Sequence, residues 1–518
     1  MTVPSRLALR RRLLGTALLL SVSVWAAPRK PIIAHNRDLM KVSTEDVWRN
    51  RGKFSAVGCD GVLLSLDRRR ADGRVVSGRD VLAAERFGDA EFVDSVRFAR
   101  ECLAADGLRD SLSLVSLVPQ NRLEWTDDRA WGLAANNVGA SARAAKGAGF
   151  LGVAIDNGFG LRSGQFRYGP GDPGLAETMR LARARGRLFF GSLFMAFPDA
   201  KVLSLCLFGG TRGDSRTSAP GYAAKVNGNL WVPFLNGLLD VLPPGAVLID
   251  GNPTSRSVTE RGADAYRMIA METMGDERWM VEPENRVRYA AQVSVAFGLC
   301  VDSYDAASDS GRRRFLCDLT DAASAADGLV WIYGKQGTLV DWDVKDHAWL
   351  RCPAWESRFA GYGRVLRTAG GGLEHFREGL LRGELRKLAL EVRKGDEPGP
   401  FVYTNKNKTQ RYTVAEVLRP GDVVYVRFRE KGRFPHLALT WTANKERLSR
   451  VGKSGRWASE LFIPDPVASD DEWRWIDGRF VVPEGADGFG LLAWGPLAHR
   501  HNLAFEAIEC YTFTKKQP

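Results

Sequence analysis

A chain of 518 residues is too long for one ordinary core, and usual domain sizes predict two to four structural units. A hydrophobic fraction of 45% with 10% aromatics excludes a disordered chain. The 73 basic against 61 acidic residues give a net charge of +12, but no dense basic stripe with interleaved aromatics accompanies it, which argues against nucleic acid as a partner; scattered solvated arginine is the commoner source of such a charge, and as a binding surface it suits acidic glycan or the cell envelope better.

The first predicted element is a targeting segment. Arg6, Arg10, Arg11 and Arg12 precede an apolar run from Leu13 to Ala27, too short to span a bilayer permanently. Residues 1–26 read as a secretory signal peptide, with Val24 and Ala26 as the small residues before the cut. A twin-arginine signal and an uncleaved anchor are the alternatives. No later segment reaches transmembrane length, so the expected location is secreted or periplasmic.

From residue 58 a short apolar, β-rich run, a polar turn and a stretch with helical spacing recur, which is the sequence form of successive βα units. Eight candidate strands follow: Cys59 to Leu66, Leu112 to Val118, Phe150 to Ile155, Leu188 to Phe194, Val202 to Phe208, Val247 to Ile249, Ser294 to Val301 and Leu329 to Tyr333. Amphipathic segments such as Ala90 to Ala105, Ala130 to Gly147, Leu175 to Arg185, Gly262 to Met274 and Arg286 to Ala291 lie between them. Eight parallel strands over some 300 residues predict a closed (β/α)8 barrel of the TIM type across residues 29–368. The absence of Gly-x-Gly-x-x-Gly after the first strand argues against a dinucleotide fold.

Residues 369–383, with Gly370-Gly371-Gly372, read as a linker. Beyond residue 384 the period becomes two, in Val423 to Arg429, Leu437 to Thr442, Trp473 to Val482 and Leu503 to Phe513, with Pro-Gly and Asp-Gly turns. Residues 384–518 are therefore expected to form an all-β jelly-roll sandwich. Seven cysteines lack both a Cys-x-x-Cys pair and histidines at metal spacing, so no metal and no cofactor is predicted; one bridge, Cys317 to Cys352, is chemically possible.

Reacting groups of a (β/α)8 barrel stand at the carboxyl ends of its strands. That filter selects Asp67, Gln120 with Asn121, Asp156 with Asn157, Asp250 with Asn252, Asp302 with Tyr304 and Asp305, and Trp331, Tyr333 and Lys335. Carboxylates with aromatic rings suit carbohydrate, because apolar sugar faces stack on rings while carboxylates bind hydroxyls and run acid/base chemistry. Glycosidic hydrolysis needs two carboxyl groups, one protonated and one ionised. Asp302 is the candidate for the ionised partner, with Asp250 or Asp156 as the acid. Each has an equally concrete structural reading, since an Asp after a strand often caps a helix or fixes a loop. Asn121, Asn157, Asn252, Tyr304, Trp331, Tyr333, Lys335 and the loop residue Trp342 are the candidate sugar contacts. Gly334-Lys335-Gln336-Gly337-Thr338 lacks the following helix that a phosphate loop requires.

The barrel region resembles a group of exported glycoside-hydrolase-like proteins of polysaccharide-degrading bacteria. The stretches that carry this are Cys59-Asp60-Gly61-Val62, Glu124-Trp125-Thr126-Asp127-Asp128, the helix with Asn136 and Asn137, Gly152-Val153-Ala154-Ile155-Asp156, Ile249-Asp250-Gly251-Asn252 and Trp331-Ile332-Tyr333-Gly334. The resemblance implies a hydrolase acting on a polysaccharide or oligosaccharide. The pattern of that group carries glutamates where this chain has Gly158, Pro253 and Lys335, so a barrel that binds glycan without turnover competes with an active hydrolase. The C-terminal part, through Leu418-Arg419-Pro420-Gly421-Asp422 and Trp473-Arg474-Trp475, resembles galactose-binding-like jelly rolls. An eliminase acting on acidic polysaccharide is a third reading, motivated by the positive charge.

Overall fold

The computed structural model describes residues 30–513 apart from 159–163, 209–227, 253–262, 276, 307, 345–347, 360, 370–384, 393–400, 403–411, 421, 432–436, 445, 449, 452–455, 458, 462–472 and 494–503. The predicted signal peptide and nearly all of the predicted linker lie outside the described residues.

The barrel strands are β1 (Ile32–Asn36), β2 (Gly61–Leu64), β3 (Leu112–Ser116), β4 (Gly152–Asp156), β5 (Lys201–Ser204), β6 (Val247–Asp250), β7, which has two halves (Val293–Val295 and Phe297–Cys300), and β8 (Val330–Gly334). All adjacent pairs are parallel. The first half of β7 pairs with β6, the second half with β8, and β8 with β1, so the sheet closes on itself. At the break, the Ala296 N–H still reaches the Asp250 carbonyl at 2.8 Å. This is a TIM-type α/β arrangement.

Its strands are not the eight that the sequence predicts. Ile32–Asn36 is a strand that lies outside the predicted set, and Leu188 to Phe194 is helix. The apolar residues Phe189, Phe190, Leu193 and Phe194 are buried at one-and-four spacing, whereas Leu188 is 40% exposed, so they continue one face of the helix Leu175–Ala196. That helix crosses Trp231–Val241 at close range. A Cβ on Gly186 would stand 2.1 Å from the Phe234 carbonyl oxygen, and one on Gly237 would stand 2.1 Å from that of Arg183. Only glycine allows this approach, and the contact brings Phe234 into a cluster of rings with Trp125, Trp131, Phe166 and Trp231.

Several motifs behind the family resemblance carry structural loads. The Asp60 carboxylate accepts the Ile32 N–H at 2.8 Å and anchors β1. Asp127 caps the helix Asp128–Ala148 by accepting from Ala130 N, and Asp128 pairs with Arg185 at 2.6 Å. Asn137, wholly buried, accepts the Phe87 N–H and donates to the carbonyls of Val81, Ala83 and Glu85, fastening that loop to the helix.

C-terminal to Ala369, besides a two-stranded ribbon of Arg450–Val451 with Arg456–Trp457, the described chain forms two larger antiparallel sheets. One runs in the order Leu385–Leu388, Ala504–Phe513, Val423–Lys431, Arg474–Val481, and the other in the order Leu390–Val392, Tyr412–Val414, Gly488–Ala493, Leu437–Ala443, Glu446–Arg447. Both contribute to one apolar core, Val424, Val426 and Phe428 from the first and Tyr412, Trp441 and Phe489 from the second. Trp441 is fully buried, so it fills this core. Cys317 and Cys352 are thiols, so the bridge considered from the sequence does not form.

Candidate functional site

Alternate residues of a barrel strand face the lumen and the surrounding helices. Ile33, Leu63, Leu114, Ala154, Leu203, Ile249, Ala296 and Trp331 belong to one buried cluster, the lumen. Two residues further along their strands, at the carboxyl end, this side of the sheet carries His35 on β1, Ser116 on β3, Asp156 on β4 and Tyr333 on β8.

Trp331 plugs the lumen below them. Its ring lies where a Cβ on Gly298 would be, 2.3 Å from Cζ2, and it is 1% exposed. It is a packed floor rather than an open platform for sugar. Tyr333 stacks on it with ring centroids 5.0 Å apart and 28° between planes, and is half-buried at the mouth. The His35 ring stands 6.0 Å from Trp331 on the other side of the β1–β8 seam.

His35 is the main group that sequence reasoning missed, because its strand was missed. Its Nδ1 is buried without a hydrogen-bond partner among the described residues. Burial drives its pKa down to about 4; the negative charge of Asp156 opposes this and the positive charge of Arg79 adds to it. The imidazole is therefore neutral near pH 7. Arg79 reaches the mouth through the segment that follows the hairpin Asp67–Arg69 and Val75–Ser77. The Arg79 carbonyl accepts the Ser116 N–H at 2.8 Å, which places it at the end of β3. Its guanidinium lies 3.6 Å from the Asp80 carboxylate.

The three predicted carboxylates do not converge. Asp156 faces the lumen side, with Oδ1 accepting the Gly158 N–H at 2.9 Å. Gly158 has φ of +63°, a conformation that a glutamate side chain strains, so this departure from the family pattern fits the local backbone. Asp250 shares the helix-facing side of β6 with Leu248 and is fully buried; its Oδ1 accepts from Asn252 N at 3.2 Å and Leu207 N at 3.4 Å. Asp302 accepts the N–H of Lys335 at 2.8 Å on one oxygen and that of Gln336 at 3.1 Å on the other, so it holds the loop after β8. The loop-fixing reading of Asp302 is the one the geometry matches.

Among the predicted sugar contacts, Asn121 and Lys335 are exposed on rim loops. Four others do not line the mouth. Tyr304 is buried against Phe315 and donates to Asp318 at 2.9 Å. Trp342, expected to be exposed, is 1% exposed and donates its indole N–H to Asp38 at 2.7 Å. Asn157 is sealed behind the β4–β5 edge, donating to the Cys206 carbonyl at 2.8 Å, and Asn252, also sealed, forms a tight turn at φ of +40°. Each of these positions follows a strand, but the chain turns back there and packs the side chain inward. Among the described residues, no group of three or more His, Cys, Asp and Glu is arranged to hold a metal ion.

No protein-family model matches the chain, and no curated protein matches it. It is similar to solved structures that include a GH30 endoxylanase from Clostridium papyrosolvens C71 (11% identity, TM-score 0.33, covering 92% of this chain and 96% of that one). They also include GH5_18 from Streptomyces cattleya in complex with GlcNAc (14%, 0.39, 67% and 81%) and a D-allulose 3-epimerase from Methylomonas sp. (11%, 0.34, 68% and 98%).

Proposed function

We propose that this chain is a glycan-processing protein of the hydrolase type, acting on a polysaccharide or oligosaccharide at the mouth of its barrel, with Asp156 as the carboxylate at the reacting centre. One observation carries the reading: Asp156 and a neutral His35 share the lumen mouth with the stacked pair Trp331 and Tyr333. Glycosidic cleavage needs negative charge beside the anomeric carbon and a proton for the leaving oxygen. Asp156 supplies the first. His35, which takes up a proton only in the acid range, supplies the second, so turnover favours acid pH. Tyr333, Lys335 and Asn121 contact the sugar from the rim. Asp214 and Glu260, in the segments after β5 and β6, lie outside the described residues.

A second reading, glycan binding without turnover, is favoured by the engagement of Asp302 and Asp250 with backbone amides. One experiment separates the two. Purified protein and its Asp156→Asn variant are incubated at pH 4 to 7 with plant, algal and microbial polysaccharides, while released reducing ends and binding are measured side by side. Release that is lost in the variant supports hydrolysis. Binding without release supports the second reading, and neither binding nor release sinks both.

The same reading includes export through residues 1–26, tested by amino-terminal sequencing of the mature protein. It also takes the two antiparallel sheets as a galactose-binding-like β-sandwich of the jelly-roll kind that holds glycan near the barrel. Expressed alone, residues 384–518 would then bind one of these polysaccharides.

A further inference from the structure

The stretch between the helix Ala263–Gly275 and β7 lies at the amino-terminal end of the barrel strands, the face opposite the mouth. There Trp279, in the turn Glu277–Met280, is 44% exposed. It does not fold inward because its neighbours occupy the interior: Glu277, Met280 and Val281 are all buried. The guanidinium carbons of Arg286 and Arg278 stand 4.7 Å and 5.7 Å from the centre of its ring. The Nε of Arg286 donates to the Val281 carbonyl at 3.1 Å, which fixes that guanidinium in place.

Neither arginine has a carboxylate partner among the described residues. The nearby acids Glu282 and Glu284 are directed to Arg183, at 4.0 Å and 2.6 Å. Beside the indole, Val287, Ala290 and Ala291 form the apolar floor of an open groove of about 480 Å³, and Val287 is 82% exposed. Glu282 feels the charge of Arg286 without forming an ion pair with it, so an exposed ring, an apolar floor and two cations lacking a paired carboxylate among the described residues share one groove, which matches a ligand with an apolar face and a negative charge.

We propose that this groove is a holding site for a uronate-bearing polysaccharide, separate from the barrel mouth. The apolar face of a pyranose ring packs on Trp279 and Val287, and its carboxylate is taken by the guanidinium forks of Arg278 and Arg286, whose planar donors match a carboxylate in pairs. The inference rests on the glycan-processing reading above but uses none of the mouth's residues. A polymer held here leaves the mouth open to another part of the same chain or to a second chain.

The test is affinity electrophoresis of the full-length protein in gels containing polygalacturonate or neutral dextran, at low and high salt. Wild-type protein is retarded by polygalacturonate, less so as salt rises, and not by dextran. Trp279→Ala and the double variant Arg278→Gln/Arg286→Gln weaken the retardation about tenfold, as truncation of an aromatic or arginine anchor does. Trp279 is exposed and Arg278 and Arg286 are half-buried, and an unaltered melting curve confirms that each variant is folded. Full retardation in either groove variant overturns the site, and equal retardation by dextran overturns its acidic specificity. If polygalacturonate does not retard the wild-type protein the inference falls, while the reading of the mouth stands or falls separately on reducing-end release.

Discussion

Trp331 donates its indole N–H to the carbonyl of Gly251 at 2.7 Å, reaching over β7 to tie β8 to the end of β6. The reach is possible because β7 presents Gly298 beneath the ring. Gly298→Ala would put a methyl group 2.3 Å from Trp331 Cζ2 and push the ring toward the mouth. A loss of about 1–3 kcal/mol in denaturant unfolding is expected, with a shift in tryptophan fluorescence. Unchanged stability would mean that the ring does not rest on Gly298.

Asp156→Asn keeps the shape of the carboxylate side chain and removes its charge. With turnover assigned to Asp156, activity falls by about 10²–10⁴-fold. Affinity for a substrate fragment stays within a few-fold, as measured by calorimetry. Activity that survives the substitution removes Asp156 from the reacting centre.

The depressed pKa of His35 makes stability depend on pH with a definite sign. The imidazole titrates at about 4 in the folded protein, against 6.5 for an ordinary histidine. Between those values the unfolded chain binds the proton and the folded chain does not, so stability falls as pH drops from 6.5 to about 4 and this contribution levels off below. The contribution at neutral pH is on the order of 3 kcal/mol. His35→Asn should flatten the dependence of unfolding midpoint on pH across that window. An imidazole resonance titrating near 6.5 would contradict the assignment.

Asp302→Ala removes the acceptor of two backbone N–H groups. If Asp302 holds the loop, the variant loses about 1–3 kcal/mol and the amides of Lys335 and Gln336 exchange hydrogen faster. A nucleophilic Asp302 predicts the reverse pattern, with unchanged exchange at those amides and complete loss of turnover.

The parallel barrel is legible in the sequence because each βα unit writes its own apolar run and amphipathic helix. Two elements went astray for physical reasons. Ile32–Asn36 is five residues long and follows closely on an apolar leader, so its run lacks a distinct beginning. Leu188 to Phe194 is apolar on nearly every residue, and over seven positions neither a two-residue nor a 3.6-residue period can be told apart by counting.

The candidate site was legible only as a set of strand ends. Composition and order alone determined that carboxylates and rings, rather than cysteines or nucleotide loops, stand after the strands. Tertiary structure decided which of them meet. Strands of a parallel barrel are buried on both faces, so the sequence shows no alternation that marks the lumen side. One step along the backbone separates Asp156, which faces the mouth, from Asn157, sealed behind it, and the same pleat turns Asp250 toward the helices. The partnership of His35 with Asp156 joins residues far apart in the chain, and only closure of β8 against β1 brings that imidazole into the lumen.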